Sequence, residues 1–144
     1  MRQPKETIRI GQLELRFLAD GESTNQKLVI FEFLIPPEAK VPVPHYHKDV
    51  DEVIYGLEGV TTTTINENKV ELHEGDSLFI PRGAVHHHDN RTDKLAKSLI
   101  TMTPASIGPA YFREMSDLIK PGVPPDPKKA SEIMTRYGLI PVVS

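Results

Sequence analysis

Between residues 6 and 103 apolar positions recur at strand-like intervals in short runs, as in IRIGQLELRF, KLVIFEFLI, DEVIYGLEGV, NKVELHEGDSLFI and LAKSLITM. Side chains of an extended chain alternate between two faces, so this period-two pattern predicts strands with one face buried. ADGES, PPEAKVPVP, NEN, EGD, PRGA and DNRTD lie between the runs and supply the Gly, Pro, Asn and Asp that reverse the chain. Short strands closely spaced by turns bury their apolar faces by packing two sheets together, which predicts an all-β sandwich or barrel over about residues 6–103. TTTT at 61–64 fits a strand with one wet face.

After Pro104 the period changes. GPAYFREMSDLIK sets Tyr111, Met115 and Leu118 at helical spacing, with Pro109 near the start and Pro121–Gly122 as the stop. DPKKASEIMTRYG predicts a second helix, capped by Asp126, with Pro127 in its first turn and Gly138 at its end. Its apolar face holds Ala130, Ile133, Met134 and Tyr137. Two short helices, within about 108–138, therefore follow the strands and pack on the barrel or on a second subunit.

A chain of 144 residues suits one domain with one core, here 1–144. A net charge of -3 and a pI near 6.1 leave no basic footprint for nucleic acid. No window has the length of a membrane span and the start has no signal-peptide core, so the expectation is a soluble cytoplasmic protein. With no cysteine, a metal would have to be held by nitrogen and oxygen.

HYHKDVDE, residues 45–52, raises that possibility, because His45 and His47 on an extended segment would project to one face. Two histidines alone fit a solvated loop equally well. The spacing continues, however, as H-x-H-x4-E-x6-G through Glu52 and Gly59, and a second block, G-x5-P-x-G-x2-H-x3-N, runs through Gly75, Pro81, Gly83, His86 and Asn90. Together these blocks resemble the paired motifs of the cupin superfamily, small double-stranded β-helix (jelly-roll) barrels. The resemblance covers about residues 28–103. It departs at Ala39, where the family often has glycine, which leaves the local turn open.

The resemblance implies that His45, His47, Glu52 and His86 ligate one divalent transition metal (Fe, Mn, Ni, Cu, Co or Zn), with coordination positions left for water or substrate. Gly59 and Gly75 would be hairpin positions, and Pro81 with Gly83 would shape the turn that delivers His86. In HHHD, alternation puts His86 and His88 on the same face and allows either as ligand; only the family spacing selects His86. His88 is then expected to line the pocket or support a ligand, His87 to be exposed or at an interface, and His73 to be an ordinary hairpin residue.

With Glu52 inward, Ile54 and Gly56 also face in and Tyr55 faces out. Phe31, Phe33 and Ile35, if inward, make the cavity mostly apolar. Arg82 is read as a solvated side chain, although the PRG turn could carry it to the barrel mouth. The resemblance also implies a small-molecule substrate and a metal-dependent enzyme of the quercetin dioxygenase-like kind, in which Glu52 doubles as proton acceptor. The alternatives are a non-catalytic binding or sensing protein and a sugar isomerase or epimerase. It further implies a homodimer, with residues 6–18 as the candidate exchanging segment.

Overall fold

The computed structural model describes residues 4–120 and 122–142. The strands are β1 (Glu6–Ile10), β2 (Leu13–Ala19), β3 (Val29–Ile35), β4 (His45–His47), β5 (Asp51–Glu58), β6 (Thr61–Ile65), β7 (Asn68–Leu72), β8 (Ser77–Ile80), β9 (His86–Asp89) and β10 (Ala96–Thr103). Helices α1 (Pro109–Leu118) and α2 (Pro127–Arg136) follow, then a last strand, β11 (Leu139–Pro141). One sheet has the order β1-β2-β3-β10-β5-β8 and the other β11-β4-β9-β6-β7, and the strand pairs within both are antiparallel. Two antiparallel sheets are the all-β sandwich or barrel expected from the strand spacing, and their order fits the jelly-roll that the resemblance implies.

The alternation in β5 has the predicted phase: Glu52, Ile54 and Gly56 are buried, while Val53 and Tyr55 are exposed. Phe31, Phe33 and Ile35 are buried, and Phe17, Phe31 and Phe112 meet at ring separations of 5.1–5.7 Å. Because these rings come from β2, β3 and α1, the first helix is part of the core. Tyr111 and Met115 are buried and Leu118 is half-buried, as helical spacing predicts. Asp126 caps α2 by accepting a hydrogen bond from the Lys128 backbone N–H at 2.9 Å. Gly138 ends the helical stretch at φ +81°. Of the expected stop after α1, Pro121 lies outside the described residues.

Three local expectations change. The threonine strand has no wet face along its first half: Thr61, Thr62 and Thr63 are 1%, 4% and 0% exposed. β6 is an interior strand of its sheet, and Thr62 is flanked in register by Asp89 and Glu71. His87 is half-buried opposite Thr64, with Nε2 3.8 Å from Asp89 Oδ2. The chain also continues past Gly138 into β11, which pairs with β4 through Leu139–His47, Ile140–Tyr46 and Pro141–His45. At the turn before β4 the left-handed residue is Glu38 at φ +61°, beside Ala39, so a glycine at 39 is not what makes this turn. β1 and β2 form a hairpin paired to the chain's own β3.

Candidate metal site

The site is assembled by strand alternation and cross-strand register. His45 and His47 lie two residues apart on β4, and His45 is directly opposite His86 on β9. Glu52 enters from β5, in the other sheet. Ring centroids are 5.2 Å apart for His45–His47, 4.8 Å for His45–His86 and 4.8 Å for His47–His86, and one nitrogen from each lies within 4.8 Å of the others. Glu52 Oε1 is 3.9 Å from His47 Nδ1 and 3.6 Å from His86 Nε2.

The four residues singled out by spacing therefore converge, but not as one uniform cluster. Glu52 groups with His86 and His88, and His88 Nε2 is 2.8 Å from Glu52 Oε2. The other ring nitrogen of His88 is 2.8 Å from Thr63 Oγ1. The Thr63 contact was missed: within TTTT nothing marks one hydroxyl from the next, and the partner lies across a strand pair.

Backbone contacts orient two of the imidazoles. His45 Nδ1 is 2.8 Å from the Val43 carbonyl and His86 Nδ1 is 2.9 Å from the Ala84 carbonyl. A carbonyl only accepts, so each Nδ1 carries the proton and each Nε2 keeps its lone pair in the neutral ring. Burial pushes His45 down to about 3 and His47 down to about 4, so both are neutral at pH 7. Burial alone would raise the Glu52 carboxyl, but His86, with Nε2 3.6 Å away, and the hydrogen bond from His88 hold it well below the usual carboxylate range. Burial would likewise lower His86, but the Glu52 carboxylate 3.6 Å from its Nε2 outweighs it and raises that group.

Imidazoles, those of His45 and His47 already neutral, beside a buried carboxylate are a nitrogen–oxygen donor set suited to a divalent first-row metal. Glu52 is 4% exposed among apolar walls, where a cation would offset the cost of its buried charge. The residues thus fit a metal ion.

Above these side chains is a cavity of about 80 Å³ whose walls include Leu15, Phe31, Phe33, Ile100, Met102 and Phe112. Among the described residues no lysine or arginine lines it. Arg82 is bound elsewhere, its Nε and Nη2 each 3.2 Å from Asp51 carboxylate oxygens. Gly59 and Gly83 have φ of +66° and +88°, so the turns around the site do use left-handed glycines. His73 is exposed in its hairpin, its backbone N–H bonded to Asp76.

Comparison with known proteins agrees with this architecture. A cupin domain profile matches residues 31–102. Quercetin 2,3-dioxygenase of Bacillus subtilis (strain 168) is 26% identical over 102 residues, covering 71% of this chain and 29% of that protein. The structure of the polyketide cyclase RemF from Streptomyces resistomycificus is 25% identical with a TM-score of 0.57, over 72% of this chain and 70% of that one. A cupin-superfamily sugar phosphate isomerase from Silicibacter pomeroyi is 26% identical with a TM-score of 0.56, over 63% and 59% of the two chains. The chain spans about half or less of the length of the curated relatives it matches.

Proposed function

The chain belongs to the cupin domain family, and from that premise we propose that it is a metal-dependent enzyme, of dioxygenase type, acting on a small, mainly apolar organic molecule. The observation that carries this reading is the convergence of His45, His47, His86 and Glu52 at one end of an apolar cavity. In it these four residues hold one divalent transition metal. A redox-active ion there supplies Lewis acidity and electron transfer at its open coordination positions.

The chain's own residues do the rest. The aromatic and aliphatic walls bind the hydrocarbon part of the substrate and exclude water, which strengthens electrostatic interactions inside. Glu52, ionised and buried, accepts a proton from a substrate hydroxyl at Oε1. The Val43 and Ala84 carbonyls keep His45 and His86 in the orientation that ligation needs.

The alternatives are less well supported. A sugar phosphate needs cationic or hydrogen-bonding groups for its phosphate, and among the described residues no lysine or arginine lines the cavity. A binding or sensing role would use the same cavity without turnover. A homodimer belongs to the proposal, supported by Val53, Tyr55 and Phe79 at 41%, 42% and 57% exposure on adjacent strands, where Val53 and Phe79 are in register. A monomeric mass in solution would refute that part.

Elemental analysis of protein purified without a tag, beside His45→Ala, tests the core claim. Near one equivalent of iron, copper, manganese or nickel, lost in the variant, followed by substrate-dependent oxygen consumption, is the expected result. Full metal occupancy in the variant would sink the ligand assignment, and stoichiometric binding without turnover would sink the enzyme.

A further inference from the structure

Thr63, His88 and Glu52 form a continuous buried chain of hydrogen bonds, at 0%, 9% and 4% exposure. Thr63 and His88 are register partners on β6 and β9, so the first link is a cross-strand pair on the inward face. The edge of one ring in the Phe33–His88 pair meets the face of the other at 6.3 Å and 71°, which restricts the imidazole further. A carboxylate can only accept, so His88 Nε2 must carry a proton to bond Glu52 Oε2, while Nδ1 faces the threonine hydroxyl. Whether His88 is neutral or cationic, neither nitrogen offers a free lone pair to the space between His45 and His47.

We propose that His88 is a positioning residue and not a ligand: with its ring set by Thr63, it holds Glu52 by Oε2, so that the carboxylate meets metal or substrate through Oε1 alone. Oε1 is the oxygen 3.6 Å from His86 Nε2 and 3.9 Å from His47 Nδ1. The relay rests on the metal-site reading above and adds to it a fixed denticity for Glu52. Without it, both oxygens could bind one ion and fill a position that substrate needs. Thr63→Ser keeps the hydroxyl; Thr63→Val keeps the shape and leaves Nδ1 buried without a partner.

Cobalt(II) alone, added to the metal-free full-length protein, tests this through its visible absorption and titrated affinity. Thr63→Ser should reproduce the wild-type spectrum. Thr63→Val and His88→Phe should still bind one equivalent, roughly 10- to 100-fold more weakly, with a shifted spectrum as Oε2 is released. Complete loss of cobalt from His88→Phe would make His88 a ligand and overturn the proposal, as would wild-type spectra in both variants. Failure of the parent reading looks different: the wild type binds no cobalt, or His45→Ala binds it unchanged. The relay is then decided in the metal-free protein by ¹⁵N NMR. A proton on His88 Nε2, with an Nδ1 signal moved by Thr63→Val and restored by Thr63→Ser, supports it; no proton on Nε2 overturns it.

Discussion

Acidification should destabilise the metal-free protein through His45 and His47. Both are held neutral by burial, near 3 and 4, against an ordinary value of 6.5. Between pH 7.5 and 5 the unfolded chain takes up protons on these two rings that the folded chain refuses, so stability is full above about 6.5 and falls as pH drops toward 4. At pH 5 each ring lies about 1.5 pH units below its unfolded value, which amounts to about 2 kcal/mol per histidine at 1.36 kcal/mol per unit, or about 4 kcal/mol for both. His86, raised by Glu52, acts in the opposite sense and reduces the sum. Glu52, held low, adds its loss only below its unfolded value of 4.5. With a urea slope of about 2 kcal/mol per molar, the midpoint should fall by up to about 2 M. The control is the double variant His45→Gln, His47→Gln, which should lose much less between the same pH values. Equal losses in both proteins would refute the claim that these rings are buried and neutral.

Metal at about a hundred times its dissociation constant should stabilise the wild type by about 2.7 kcal/mol. In a chain of this size that is a rise of roughly 5–11 °C in Tm, read by calorimetry and absent in His45→Ala. Gly56→Ala would place a methyl carbon 2.1 Å from the His73 carbonyl oxygen, and should cost about 3 kcal/mol or more in a urea titration. Gly75→Ala meets nothing within 4 Å but sits at φ +90°, so its cost should be only about 1–2 kcal/mol; a larger loss than for Gly56→Ala would contradict the geometry. Ending the chain at Gly138 removes β11, the strand that pairs β4 on the side away from β9. Metal affinity should fall about tenfold by titration because the strand carrying His45 and His47 is left at an edge, and an unchanged affinity would show that β11 does not support the site.

Much of the fold was legible because alternation is a local property. The inward set Glu52, Ile54 and Gly56 and the outward Tyr55 follow from the period of β5 alone, and the turns follow from Gly, Pro, Asn and Asp. What alternation does not specify is the partner across a sheet. His86 and His88 share a face, but only the fold reveals that His45 lies opposite His86 while Thr63 lies opposite His88. β11 was illegible for a different reason: three residues ending in a proline carry no period, and the strand exists because β4 has an unpaired side there. The buried Thr62 was missed because β6 lies between two strands, β9 and β7, and that placement is not written in its own sequence.

The division between shared and private parts of the molecule follows from where these residues lie. His45, His47, Glu52, Thr63, His86 and His88 all fall within the span matched by the cupin domain profile, 31–102. The cavity walls do so only in part: Phe31, Phe33, Ile100 and Met102 lie inside that span, but Ile10, Leu13 and Leu15 come before it and Ile107 and Phe112 after it. β1 and β2 extend the sheet beside β3, and Phe112 packs on Phe17 and Phe31 from the first turn of α1. Truncating the Phe112 side chain would therefore open one wall of the cavity, and changing the N-terminal hairpin would reshape another, without touching a candidate ligand or the β11–β4 pairing. On the proposed reading, the matched barrel carries the chemistry and part of the wall, and the flanking segments complete the surface that chooses the substrate. Substitutions at Leu13, Leu15 or Phe112 should then move KM between substrates of different size while leaving metal content at the wild-type level. Loss of metal in those variants would mean that walls and ligands are one structural unit.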